Sequence, residues 1–250
     1  MELQVADNCV IQYNNDPWQT SDVEYYSFLV QYIISECRTL GLNDEELPSL
    51  IVKYHNRPNP MCSMGEGGRI IFLVTKGTHW AQFVFQFAHE YCHHLIDGPM
   101  DGNLISSFWL EESICEMTSR YMLLKLADVW EQDCNTIECL RNYVSAMKSY
   151  EAHRRKNTVI IEGNLSVWIQ KNYEVLCEEY YHRDLYDSIA QYLLPLFIEN
   201  QTLWRLLPYL KRVPEKEYVN LRHWIVNVVK PQIANEIESA FEVFSRALLG

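Results

Sequence analysis

Residues 89 to 93 read His-Glu-Tyr-Cys-His. On an α-helix, residues four apart differ by about 40° around the axis and one turn along it. His89 and His93 therefore point the same way, and two neutral imidazoles so placed can grip one Zn²⁺ at about 2.0–2.1 Å each. Glu90 is rotated about 100° from His89. That is too far round for a third ligand but within reach of a water held on the metal, which is the chemistry of the HExxH pattern. With only 8 histidines in 250 residues, chance would produce this pattern in roughly two chains in a hundred.

A hydrolytic zinc site needs a third protein ligand and one open position. The segment Trp109-Leu110-Glu111-Glu112-Ser113-Ile114-Cys115-Glu116 offers one. Glu112 follows His93 with 18 residues between them, enough for a helix end, a turn and the start of a second helix that folds back. Glu116, one turn after Glu112, is expected to accept the free ring N–H of His89, because ligand histidines usually have such an acceptor. Glu111 is expected to face solvent. Cys92 is expected to fill the helix core and His94 to pack beside it.

These residues resemble the gluzincin zinc metallopeptidases, the HExxH-plus-Glu clan of thermolysin-like and aminopeptidase-N-like enzymes. His89, Glu90, His93, Glu112 and Glu116 carry the resemblance. Trp109 to Cys115 is similar to the family's W-L-x-E-G-x-A run, with Ser113 replacing Gly and Cys115 replacing Ala. The resemblance covers about residues 50 to 130. It implies one zinc per chain held by His89, His93 and Glu112, with Glu90 as general base on a peptide or protein substrate. It also implies an edge strand that pairs with extended substrate, expected at Arg69 to Thr75. A Tyr or His beyond the third ligand would stabilise the oxyanion. Helical steps back from Ile189 and Leu185 make Tyr181 and His182 the candidates, with Tyr186 as a third. The G-x-M-E-N run of the aminopeptidase-like members is not found, so the resemblance does not extend to an aminopeptidase.

The elements that must position these residues can be read from pattern. Ser21-Asp22-Val23-Glu24 reads as a capping box opening a helix that Gly41 closes. Leu50 to Tyr54 is a short β-prone run, and 55 to 68 reads as a loop. Arg69 to Thr75 is the strongest strand signal. A helix from Gly77-Thr78 carries His89 and His93 and stops at Asp97-Gly98-Pro99. The next starts near Ser106 or Ser107 and runs to about Trp130. From Thr136 onward the pattern is nearly all helical. The expected fold is α+β. A small N-terminal sheet packs on the HExxH helix in zincin-like fashion (residues 1–130), and an all-helical C-terminal part follows (residues 131–250).

Composition narrows the partners. Lys plus Arg is 21 and Asp plus Glu is 33, a formal charge of −12. So acidic a surface repels phosphate backbones and anionic membranes. No run is long and apolar enough for a membrane span. The first residues carry no signal-peptide pattern, and the 8 cysteines form no CxxC pair. They read as reduced thiols in a cytoplasmic protein; Cys134 and Cys139 have the wrong spacing for a zinc knuckle. His153-Arg154-Arg155-Lys156 reads as a solvated helix end, His79 as a surface residue, and His55, His153 and His223 as having no metal role. Besides a zinc peptidase, the residues allow a non-catalytic zinc scaffold or a regulatory protease with one protein target. Nothing in the sequence sets the number of subunits.

Overall fold

A computed structural model describes residues 1–14, 17–97, 106–132, 141–156, 158–178, 182–210, 213–214 and 218–250. The fold is α+β. Five strands form one mixed sheet in the order β1-β2-β3-β5-β4. They are β1 (Glu2–Ala6), β2 (Cys9–Gln12), β3 (Leu50–Tyr54), β4 (Met61–Gly65) and β5 (Gly68–Leu73). β1 and β2 form an antiparallel hairpin, β2, β3 and β5 run parallel, and β4 is antiparallel to β5. β3 coincides with the expected strand.

The 55–68 segment differs from the expected loop. It contains β4, joined to β5 by the two-residue turn Glu66-Gly67. Met-Cys-Ser-Met-Gly lacks the β-branched and aromatic residues that advertise a strand, so pattern alone passes over it. Its presence corrects the expected edge. β5, the strongest strand in the sequence, lies inside the sheet between β3 and β4, and β4 ends the sheet instead.

Helix α1 (Thr20–Thr39) starts slightly before the expected capping box. Asp22 Oδ2 accepts the Gln19 N–H at 3.2 Å, so the reciprocal cap forms two residues earlier than Ser21-Glu24. Its far end matches expectation. Gly41 has φ +83°, and the Leu42 and Gly41 N–H groups bond to the Cys37 and Arg38 carbonyls, the αL closure that glycine favours. Helix α2 (Trp80–Asp97) carries His89 and His93. It lies against β4 and β5 and touches α1, where Tyr26 stacks on Phe83 with ring centroids 4.1 Å apart. Gly98, Pro99 and the loop turns after them lie outside the described residues.

Ser106–Ser107, expected to open the next helix, instead form a short strand, β6, paired with β7 (Val213–Pro214). Helix α3 begins at Trp109 and runs to Gln132. It is enclosed by α2, α4 (Val144–Arg155) and α6 (Arg183–Glu199). From Trp109 to Leu123 every residue except Glu112 is buried. A helix covered on all sides must pair its charged residues. Arg120, with no exposed surface, accordingly donates to Glu151 at 2.9 Å and to Gln191. Helices α5 (Leu165–Glu178), α7 (Tyr218–Trp224) and α8 (Glu238–Leu249) complete the C-terminal half. One hydrophobic core runs from Val5 to Leu248. No helix among the described residues is long and apolar enough to cross a membrane.

Candidate metal centre

α2 and α3 are each other's main packing partners, and the candidate site lies in their contact. The four-residue spacing on α2 sets the His89 and His93 rings 5.0 Å apart. α3 returns to place Glu112 between them. Its Oε2 is 3.3 Å from His89 Nε2 and its Oε1 is 3.5 Å from His93 Nε2. These separations are informative. A charge-assisted hydrogen bond would draw N and O to about 2.7–2.9 Å. Donors at about 2.05 Å from a common tetrahedral centre stand about 3.3 Å apart. Glu112 stands at the second distance. The side chains of His89, His93 and Glu112 retain 17%, 15% and 24% exposure, so the convergence point opens on a cleft.

Glu111, expected to face solvent, is buried. Its Oε1 is 2.7 Å from His93 Nδ1. With an Nδ1 proton against that acceptor, Nε2 is the nitrogen that faces Glu112. Glu116, expected on His89, is held elsewhere. Arg154 Nε and Nη2 donate to its Oε1 at 3.2 and 3.1 Å. The rotation of α3 about its own axis causes the exchange. With Glu112 pointing between the imidazoles, Glu111 swings onto His93, and Glu116 faces α4 and α6.

Electrostatics follow the geometry. Burial would lower the His93 pKa, but the bond to Glu111 and the surrounding carboxylates hold it up at about 10. Burial works against His89 in the same way, and its 3.3 Å contact with Glu112 and the charges of Glu90 and Glu112 raise it. Burial would raise Glu112, yet the contact with His89 and the charges of His89, His93 and Arg183 bring it down to about 2. In the absence of a metal the lowered carboxyl and the raised imidazoles hold one another as an ion-pair cluster. Glu90 is 5% exposed, and burial raises its pKa. The Cys62 N–H on edge strand β4 donates to its carboxylate, which ties Glu90 to the sheet edge.

One donor escaped the sequence reading. A ring nitrogen of His89, a ring nitrogen of His93 and Cys115 Sγ lie within 4.8 Å of one another, and this group could hold a metal ion. Cys115 is fully buried and does not line the cleft, so it reaches the histidines from behind, whereas Glu112 faces them from the open side. The spacing carried the signal, since residues three apart on a helix share a face and Cys115 follows Glu112 by three. Cys92 is buried in the α2–α3 contact, as expected, and accepts a bond from Thr118 Oγ1 at 3.3 Å. His94 is buried and packs near Tyr91.

The cleft holds a cavity of about 190 Å³, lined among others by Pro58, Asn59, Phe85, Tyr150, Arg183 and Tyr186. Of the expected oxyanion donors, Tyr181 lies outside the described residues. His182 caps α6 through its carbonyl, which accepts the Leu185 and Tyr186 N–H groups, and does not line the cavity. Tyr186 and Arg183, three residues apart on one face of α6, do. Arg154 stands apart from its exposed neighbours in the basic cluster. Its guanidinium lies 4.9 Å from the Phe85 ring centroid and bridges Glu116 and Asp187. Burial and the neighbouring Glu116 carboxylate raise Asp187 to about 7, so this acid pair retains a proton near neutrality. His79 is exposed, His55 bonds to the Asn59 carbonyl at 2.9 Å, and His223 pairs with Asn227. Cys134 and Cys139 lie outside the described residues. The chain matches no protein-family model, no curated protein and no solved structure with which it was compared.

Proposed function

We propose that this chain is a zinc-dependent peptidase of gluzincin type, cleaving peptide bonds in a cleft between the sheet edge and α6. The placement of Glu112 carries this reading. Its two oxygens stand at ligand-to-ligand distance from two imidazole nitrogens, beside a buried glutamate in the same cleft. Two imidazoles and a carboxylate with one side open suit Zn²⁺ in a hydrolytic site. Held there, the metal would supply Lewis acidity and lower the pKa of a bound water toward neutrality.

The remaining work falls to the chain. Glu90, its proton affinity raised by burial, takes the proton of the attacking water on a carboxylate oxygen and passes it to the departing amine. The ring proton of His93 stays on Nδ1 against Glu111, which fixes the ring and raises its basicity. Tyr186 and Arg183 face the cavity from α6 and offer O–H and N–H donors to the oxygen that gains charge. The Pro58-Asn59-Pro60 approach to β4 forms the opposite wall, and β4, which ends the sheet, offers a backbone edge to an extended peptide.

Digestion of a mixed peptide library tests the reading. The wild type should cleave it, 1,10-phenanthroline should stop cleavage, and added Zn²⁺ should restore it. Cleavage indifferent to the chelator would rule the reading out.

A further inference from the structure

The peptidase reading uses three ligands and gives no role to Cys115, whose buried thiol is hydrogen-bonded to Cys92. On α2, His89 and His93 are four residues apart; on α3, Glu112 and Cys115 are three apart. Each pair shares one helix face, and the two faces meet. Glu112 approaches the imidazoles from the cleft side, and Cys115 Sγ lies within 4.8 Å of a ring nitrogen of each from the buried side. Nitrogen and sulfur donors on one tetrahedral zinc stand about 3.5 Å apart, so the gap between Cys115 and each imidazole is at most about 1.3 Å, within the reach of a side-chain adjustment; Glu112, outside that 4.8 Å group, faces the same imidazoles at 3.3 and 3.5 Å. Where the gluzincin run has an alanine, this chain carries the softest zinc donor available to a protein.

We infer that Cys115 is a fourth protein ligand of the centre, its sulfur joining His89, His93 and Glu112 from the α3 core. This inference rests on the metal site of the peptidase reading and adds a donor to it. As the metal–sulfur bond forms the S–H bond breaks and the proton leaves to solvent; nothing is oxidised or reduced. A thiolate makes the centre thiophilic, favouring zinc, cadmium and cobalt over magnesium or calcium. It also places four protein donors around the ion, so that water or a substrate carbonyl joins as a fifth. The ion is then held more tightly and polarises its solvent less than in a site with three protein ligands.

The full-length protein, stripped of metal and loaded with one equivalent of Co²⁺, distinguishes the cases by absorption. The wild type should show a thiolate-to-cobalt charge-transfer band in the near ultraviolet beside the visible d–d bands. Cys115→Ala should lose the first and keep the second, and its affinity for Co²⁺ should fall at least about tenfold, since even an outer partner of a ligand contributes that much. Cys92→Ala should keep both bands. This variant and the wild-type spectrum decide the matter even if Cys115→Ala fails to fold. Bound Co²⁺ without a charge-transfer band would overturn the fourth ligand and leave the peptidase reading standing. So would a band that survives Cys115→Ala or disappears in Cys92→Ala. A wild type that takes up no Co²⁺ would overturn both.

Discussion

Glu111 and Glu112 are neighbours in sequence and make different contacts. Glu112 faces two imidazoles at 3.3 and 3.5 Å; Glu111 receives the ring N–H of one of them at 2.7 Å. Glu111→Gln should therefore lower zinc affinity about 10- to 100-fold, as loss of a ligand's acceptor does, while Glu116→Gln should leave it unchanged; chelator competition measures both. Glu90→Gln should retain zinc and lose at least about a hundredfold in cleavage rate, the usual contribution of a general base. Activity retained in that variant would remove Glu90 from the mechanism. His89, Glu90 and His93 were legible in the sequence because their relation is local, set by helix geometry. Glu112 was legible by its spacing alone. The roles of Glu111, Glu116 and Cys115 were not, because the rotation of α3 against α2 decides them, and long-range packing sets that rotation.

At the scale of elements, α3 explains much of what pattern reading found and missed. Its apolar residues do not keep to one face, since the helix is covered all round and buries charge along with hydrocarbon. Arg120 and Glu151 face each other across α3 and α4 with almost no exposed surface. Removing Arg120 leaves Glu151 with the longer 3.8 Å pair to Arg155, so Arg120→Ala should destabilise the fold by roughly 3–5 kcal/mol in urea unfolding. A loss under 1 kcal/mol would show that water reaches Glu151. β4 was hidden for the opposite reason. It is an edge strand of poor intrinsic propensity, held by pairing with β5 and by the bond from its Cys62 N–H to Glu90. The strong signal at β5 marked an inner strand, because burial between neighbours is what selects β-branched and aromatic residues.

For the whole molecule, the α+β division was readable from the change of period along the chain. Of the C-terminal contribution to the cleft only Tyr186 was, because Arg154, Asp187 and Arg183 come from two helices that meet only on folding. Their arrangement gives the fold a pH signature. Burial and Glu116 raise Asp187 from 3.8 to about 7, so the folded chain holds this proton more tightly than the unfolded one. Its contribution to stability is therefore present below about pH 4 and is lost as pH rises through about 7. Asp187→Asn, which mimics the protonated group, should flatten the fall in urea midpoint between pH 5 and 8 that the metal-free wild type is expected to show. An identical slope in both proteins would place the proton elsewhere.

The proposed peptidase depends most on the ion that His89 and His93 could hold. Elemental analysis of the purified protein beside His93→Ala and Glu112→Ala measures it directly. The account predicts one zinc per wild-type chain, none in His93→Ala and a strongly reduced content in Glu112→Ala, with all three folded by circular dichroism. A folded wild type without zinc even after incubation with the metal, or a His93→Ala protein that keeps its full equivalent, would contradict it.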